Sequence, residues 1–133
     1  MSGPEYHGGC MCGAVRYVAS GEARNLCYCH CASCRRAAGA PGVPWATFAS
    51  SNLRISGTLS EYRSSAQVLR GFCSTCGTSL TYRSERRPQD TDVTLGSLDE
   101  PARLAPAMRV WVAERLPWEV QDQLPAHAGG GDS

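Results

Sequence analysis

The sequence contains no lysine and carries almost no net charge. All 13 basic residues are arginine, and with 12 acidic residues the formal net charge is +1. This balance gives no electrostatic reason for binding nucleic acid or a membrane surface, so neither partner is expected. An anion site in this chain must use a guanidinium, whose planar donors suit two-point recognition of a carboxylate.

Long apolar runs are also missing. No stretch approaches the roughly 18 apolar residues that a membrane-spanning helix needs. The first residues, 1–5, have neither the basic nor the apolar part of a signal peptide. A cytoplasmic location is therefore expected, where thiols stay reduced. The eight cysteines of the chain then indicate metal binding rather than disulfide bonds.

These cysteines are grouped rather than spread along the chain. They form the pairs Cys10/Cys12 and Cys73/Cys76 and a central cluster of Cys27, Cys29, Cys31 and Cys34. Disulfide frameworks usually separate their half-cystines, whereas zinc binds several thiolates at about 2.3 Å in a tetrahedral shell. In an extended chain residues i and i+2 point to the same face, so each Cys-x-Cys pair can present both sulfurs to one ion.

Short strands separated by turns dominate the rest of the chain. Runs rich in β-branched, aromatic and aliphatic residues predict strands over residues 14–18, 26–30, 45–48, 53–55, 59–62, 68–72, 79–82, 92–98 and 110–112. Residues 32–38 favour a helix that ends at Gly39. The pattern predicts one mainly β domain with one short helix over residues 1–125, followed by a disordered glycine-rich tail over residues 126–133.

Two cysteine pairs from distant parts of the chain are predicted to hold a structural zinc. Cys10 and Cys12 supply one pair. The Cys73-x-x-Cys76-Gly77 sequence is typical of a zinc knuckle, in which glycine allows a positive φ. A closed shell of four cysteines would contribute folding energy directly.

Cys29, Cys31 and Cys34 are predicted to hold a second zinc. Three protein ligands plus an exchangeable position are characteristic of catalytic zinc, which leaves the fourth position to water or a substrate thiol. Two alternatives stay open for Cys27. It lies on the same strand face as Cys29 and could close the shell as a fourth ligand, or it is a small buried hydrophobic residue.

Three segments of the chain resemble the motifs of one family. Residues 9–17, 29–36 and 72–80, in this order and spacing, are similar to motifs of the glutathione-dependent formaldehyde-activating enzyme family, which includes the centromere protein V relatives. With residues 92–98 and 116–118, the resemblance covers the chain to about Leu124. It implies a β-tent fold with two zinc ions, held by the two cysteine groups described above. Cys27 and Arg109 depart from the family pattern.

The resemblance also implies a reaction. Formaldehyde would condense with glutathione to S-hydroxymethylglutathione, an activity classed as a carbon–sulfur lyase. The expected partners are therefore a small thiol such as glutathione and a small aldehyde. The competing interpretation is a non-catalytic zinc-stabilised module that binds, carries or senses a thiol. The role of Cys27 distinguishes the enzyme from the non-catalytic module, because Cys27 as a fourth ligand would block the substrate position.

Arginines next to the second zinc site are predicted to balance its charge. Three thiolates outweigh a divalent ion, and Arg35 and Arg36 follow Cys34 directly. They are expected to offset this charge or to bind a glutathione carboxylate; a solvated helix face is the alternative for at least one of them. His30 is expected to be a supporting or core residue, and Trp45 a core residue.

Other polar residues receive no catalytic role from the sequence. No carboxylate is identified as a general base. His7 and His127 lie near the ends of the chain and are assigned no function. The charged segment 84–90 is interpreted as a solvated loop.

Overall fold

The computed structural model describes residues 3–131, and this range contains ten strands and one α-helix. The elements are β1 (Glu5–Gly9), β2 (Arg16–Ser20), β3 (Arg24–Cys29), α1 (Ala32–Ala38), β4 (Val43–Ala49), β5 (Leu53–Ser56), β6 (Leu59–Ser65), β7 (Val68–Cys73), β8 (Ser79–Ser84), β9 (Asp90–Thr94) and β10 (Met108–Val110). The mainly β class with a single short helix, as implied for a β-tent domain, is confirmed. Within residues 3–131, no helix combines the length and the apolar character needed to cross a membrane.

The strands form two sheets. β1, β2 and β5 make a three-stranded antiparallel sheet, and the other seven strands form a sheet in the order β10-β3-β4-β9-β8-β7-β6. Neighbours in the large sheet are antiparallel except for β10, which lies parallel to β3. The C-terminal part of the chain therefore lies beside β3, the strand that leads into helix α1.

Strand β4 lies inside the large sheet and separates two cores. Its residues alternate between the two faces of the sheet, as in any strand. Ala46 and Phe48 are buried in the main core, in one cluster with Tyr17 of the small sheet. Trp45 belongs to a second cluster that contains Cys34. One face of β4 thus builds the packing between the sheets, and the other faces the central cysteines.

Helix α1 begins at a cysteine side chain. Cys31 is the N-cap residue, and its Sγ accepts a hydrogen bond from the Cys34 N–H at 3.3 Å. Gly39 follows the helix with φ of 62° and donates its N–H to the Arg35 carbonyl oxygen, a left-handed termination that glycine adopts at low cost. The predicted helix and its end are confirmed, and its first turn is held by a candidate metal ligand.

Two strands end earlier than the sequence indicated. β9 ends at Thr94, because Leu95–Ser97 form a short 3-10 helix in which the Ser97 hydroxyl donates to the Thr94 carbonyl oxygen at 2.8 Å. Such local side-chain hydrogen bonds compete with the sheet. β10 ends at Val110, because Trp111 adopts φ of 57° and turns the chain away from the strand.

Residues 126–131 pair with the segment around β10, so the prediction of a disordered tail is wrong for them. The His127 N–H donates to the Arg109 carbonyl oxygen at 3.0 Å, and the Val112 N–H donates to the His127 carbonyl oxygen at 2.9 Å. β10 is an edge strand, and the tail satisfies backbone groups that an edge leaves open. The last predicted tail residues, 132 and 133, lie outside the described residues.

Gly57 packs against backbone, and its replacement is expected to be costly. A Cβ atom at Gly57, which has φ of 87°, would lie 2.0 Å from the Ala14 carbonyl oxygen, whereas a Cβ at Gly39 would meet nothing within 4 Å. Gly39→Ala should lower the free energy of unfolding by roughly 1–2 kcal/mol through left-handed strain alone, and Gly57→Ala by at least twice that amount. Urea unfolding followed by circular dichroism measures both. Equal losses would contradict the close approach at Gly57.

Candidate metal centre and active site

Two turns bring four of the cysteines together. Cys10 and Cys12 lie between β1 and β2, in a turn closed by the Cys10 N–H, which donates to the Val15 carbonyl oxygen at 3.0 Å. Cys73 ends β7, and Cys76 lies in the turn before β8. The four sulfurs all lie within 4.8 Å of one another. The two predicted pairs therefore meet, although Cys10 and Cys12 do so through a turn rather than through alternation along a strand.

Backbone N–H groups point at the sulfurs of this four-cysteine cluster. Val15 donates to Cys10 Sγ at 3.3 Å, and the N–H groups of Thr75 and Cys76 each lie 3.4 Å from Cys73 Sγ. Such donors favour the thiolate, which is the form that binds a metal. The cluster is a closed set of four soft ligands that could hold one metal ion.

The second group contains Cys29, Cys31 and Cys34, whose sulfurs also lie within 4.8 Å of one another. β3 ends at Cys29, Cys31 caps helix α1, and Cys34 lies in the first turn of that helix. Hydrogen bonds from Cys29 and Cys34 lower the pKa of Cys31, whereas those with Cys31 and Cys34 raise the pKa of Cys29. The thiols thus share negative charge unequally, and a cation is needed to hold all three as thiolates.

Cys27 is not part of this three-cysteine cluster in the described structure. It lies earlier on β3, where it pairs with Trp45 of β4 and Met108 of β10. Burial raises the pKa of the Cys27 thiol to about 12, so it is protonated near neutral pH. This geometry favours a site with three cysteine ligands, beside which Cys27 lies as a neutral thiol.

A cavity of about 410 Å³ opens onto the three-cysteine cluster. Its wall includes the aromatic residues Trp45, Tyr82 and Trp111 and the charged residues Arg70, Arg86, Arg87, Asp92 and Glu114. Trp45 is 5% exposed and belongs to the core, as predicted, but it also forms part of this wall. The cavity falls within the size range of small-molecule sites.

Arg70 on β7 contacts a candidate metal ligand. Its Nη1 donates to Cys34 Sγ at 3.5 Å, and its Nε donates to Ser64 Oγ at 3.1 Å. The guanidinium also lies 5.1 Å from the centre of the Tyr82 ring, within cation–π range. These contacts hold a positive charge beside the sulfurs. Sequence reasoning missed Arg70, because only the fold brings it to a cysteine 36 positions away.

The two arginines singled out from the sequence do not line this cavity in the described part of the chain. Arg36 is exposed on helix α1, and the buried Nε of Arg35 has no hydrogen-bond partner among residues 3–131. Both lie in the last turn of the helix, where positive charge is favourable. The cavity wall instead contains Arg86 and Arg87, from the segment that the sequence suggested was only a solvated loop.

His30 contacts Arg109, which forms a partly buried ion pair with Asp122. It is fully buried, and its Nε2 lies 2.8 Å from Arg109 Nη1. Arg109 also binds the Asp122 carboxylate, at 2.6 Å for the shortest contact. Burial, together with the Arg109 charge, lowers the pKa of His30, so the neutral ring accepts from the guanidinium. His30 and Arg109 thereby connect the cysteine segment to the C-terminal part of the chain.

The chain is similar to known proteins in both sequence and structure. Residues 5–114 match the profile of a family described as glutathione-dependent formaldehyde-activating enzyme. The chain is 33% identical over 79 residues to an uncharacterized lyase of Schizosaccharomyces pombe, a match that covers 59% of this chain and 58% of that relative. It is also similar to a Rhodobacter sphaeroides protein of known crystal structure, with a TM-score of 0.58 and 26% identity over 75% of this chain and 97% of the other.

Loss of one sulfur from the four-cysteine cluster is expected to remove a metal ion and much of the stability. Cys12 is exposed, so Cys12→Ser removes little packing, and a loss of several kcal/mol would come from the metal site. Cys27→Ser is the control, because Cys27 lies outside both clusters. Native mass spectrometry counts the metal ions, and thermal unfolding reports stability. A metal lost from Cys27→Ser, or retained in full by Cys12→Ser, would contradict the assignment.

Proposed function

The chain belongs to the glutathione-dependent formaldehyde-activating enzyme family, and on that premise we propose that it is a zinc-dependent carbon–sulfur lyase. The proposed reaction condenses glutathione, or a related thiol, with formaldehyde to S-hydroxymethylglutathione. The observation that supports this most directly is a cavity of about 410 Å³ that opens onto a cluster of three cysteine sulfurs.

The two cysteine clusters suit two zinc ions. Thiolates are soft ligands typical of zinc, and sets of four and three fit a closed structural shell and an open catalytic one. The structural ion would be held by Cys10, Cys12, Cys73 and Cys76, and the second ion by Cys29, Cys31 and Cys34. When bound, the second ion would supply a position that lowers the pKa of a substrate thiol.

The arginines of the cavity suit an anionic thiol. Arg70, held against Cys34 Sγ, offsets part of the negative charge of three thiolates. Arg86 and Arg87 belong to the wall of the same cavity. Glutathione carries two carboxylates, and guanidinium groups bind carboxylates through paired hydrogen bonds. We therefore assign thiol recognition to Arg86 and Arg87 rather than to the arginines of helix α1.

The aromatic part of the wall suits a small uncharged second substrate. The rings of Trp45 and Tyr82 meet edge to face, with their centres 5.9 Å apart, and Val110 also lines the cavity. These groups exclude water from one side of the site without offering an ionic partner. An aldehyde held there beside a positioned thiol would react in an effectively intramolecular step.

A non-catalytic module that carries or senses a thiol is the alternative function. It would use the same three-cysteine cluster but release the thiol unchanged. The position of Cys27 outside that cluster supports an open site, and an open site is required for turnover.

The free thiols of all eight cysteines fit a reducing compartment, and we propose a cytoplasmic location.

Exchange NMR with carbon-13-labelled formaldehyde and glutathione tests turnover. The zinc-loaded protein is expected to accelerate the interconversion of hydrated formaldehyde and S-hydroxymethylglutathione beyond its uncatalysed rate.

Arg86→Ala should raise KM for glutathione on the order of tenfold with little change in kcat, because it removes a charge-assisted hydrogen bond that is made equally before and during the reaction. Arg36→Ala removes the same charge from an exposed helix face and is the matched control.

Native mass spectrometry with millimolar glutathione separates the proposed enzyme from its alternative. A glutathione adduct that is lost in Cys29→Ser, together with turnover, is the expected result. An adduct without turnover would favour the carrier or sensor function. A protein that holds two zinc ions and forms no adduct at any glutathione concentration would overturn both.

A further inference from the structure

Asp92 brings a carboxylate into the cavity that opens onto the three-cysteine cluster. It lies on β9 inside the large sheet, where it pairs with Thr47 of β4 and Tyr82 of β8. Its side chain is 14% exposed, and it lines the same cavity as Cys29, Cys31 and Cys34. Removing a carboxylate from water costs free energy, so a carboxylate inside a sheet is unusual unless it has a specific role.

The hydrogen bonds of Asp92 leave it incompletely neutralised. Oδ1 accepts a hydrogen bond from the Thr47 hydroxyl at 2.6 Å, whereas the ion-pair contact of Oδ2, with Arg87 Nη2, is 3.7 Å long. Asp90, two residues earlier, is different: Arg24 and Arg87 donate to it at 2.8 Å and 3.3 Å, and the Arg24 bond lowers its pKa. Of the two aspartates of β9, Asp90 is thus fixed as an ion-pair partner and Asp92 is not.

The surroundings of Asp92 set its proton affinity. The titratable and charged groups that act on it from the neighbouring elements are Cys27 and Arg24 of β3, Tyr82 of β8, Asp90 of β9 and Arg87 of the preceding loop. Burial is the largest influence and raises the pKa of the Asp92 carboxyl, against the lowering effects of Thr47 and Arg87. A raised pKa suits a group that must both accept and return a proton near neutral pH.

The other carboxylate that lines this cavity, Glu114, has a structural task. Its Oε1 accepts a hydrogen bond from the Ala32 N–H at 2.8 Å, at the start of helix α1. It is also exposed. Asp92 is mostly buried and lines the cavity, and its Oδ1 accepts a hydrogen bond from a side-chain hydroxyl rather than from a backbone N–H.

We propose that Asp92 is the catalytic acid–base group of the three-cysteine site. This inference rests on the proposed condensation of a thiol with formaldehyde. The Asp92 carboxylate accepts the proton of the substrate thiol, and a sulfur electron pair then forms the new C–S bond to the formaldehyde carbon. The C=O π electrons move to oxygen, and Asp92 returns its proton there. Thiol and aldehyde are consumed, the hydroxymethyl thioether is formed, and Asp92 is again ionised.

The principal test compares Asp92→Asn with Asp99→Asn. Asparagine keeps the size of Asp92 and its acceptor for Thr47 but removes the exchangeable proton. Asp99 is a surface residue paired with Arg16, so the same change there serves as the control. Asp92→Asn should lose about a hundredfold or more in kcat/KM, the usual contribution of general acid–base catalysis, while it retains both metal ions and its thermal stability. Asp99→Asn should stay within about twofold of the unmodified protein.

The pH profile provides a readout that lost packing would not produce. Activity requires the ionised carboxylate, so kcat/KM should fall on the acidic side as Asp92 is protonated, at a pH above the range of an ordinary aspartate. Thr47→Val keeps the carboxylate but removes the hydroxyl that lowers its pKa, so the acidic limb should move to higher pH. An acidic limb that stays in place in Thr47→Val would overturn the proposal, even if Asp92→Asn did not fold.

Calorimetry of glutathione binding separates a failure of this inference from a failure of the proposed function. In buffers of different ionisation enthalpy, Asp92→Asn should release about one proton more per glutathione bound than the unmodified protein, because no carboxylate takes up the thiol proton. Turnover that is unaffected by Asp92→Asn would overturn the role of Asp92 and leave the proposed function standing. An absence of formaldehyde turnover would overturn the function, and the proton count would then decide the role of Asp92: equal release in both proteins would exclude it.

Discussion

The contact between two cysteine-bearing turns is the constraint on which the arrangement of the molecule depends. One turn joins the strands of the small sheet and the other joins β7 to β8 of the large sheet, and Cys12 meets Cys73 at 3.7 Å across 61 positions of sequence. Cys10 and Cys73 also belong to the main core. The same β7 strand that ends at Cys73 carries Arg70, so one strand links the four-cysteine cluster to the wall of the cavity.

The two cysteine clusters are built by different means. The three-cysteine cluster is local, since a strand end and a helix N-cap bring its members together within six residues of sequence. Its surroundings are not local: β7, β8, β9 and the C-terminal segment each supply part of the wall. The geometry of the sulfurs is therefore fixed by the first turn of α1, whereas their charge environment is fixed by the assembly of the whole large sheet.

This difference explains what could be predicted from the sequence. Cysteine spacing, the helix over residues 32–38 and its end at Gly39 are local properties, and all were recognisable in the chain. Arg70 and Asp92 were not, because each lies in an ordinary strand and acquires its role through pairing with distant strands. Arg35 and Arg36 were misleading for the same reason: proximity in sequence to Cys34 did not place them on the face of the helix that meets the cavity. The pairing of residues 126–131 was not predicted, because glycine content does not reveal that the edge strand β10 has backbone groups available for hydrogen bonds.

The two faces of strand β4 differ in what a substitution on them would change. Ala46 and Phe48 belong to the packing between the sheets, while Trp45 lines the cavity and Thr47 holds Asp92. Alternate residues of one strand thus contribute to the packing between the sheets on one face and to the cavity on the other. Substitutions at the cavity-facing positions would therefore reshape the cavity with little effect on the packing between the sheets, so one scaffold can present different cavities.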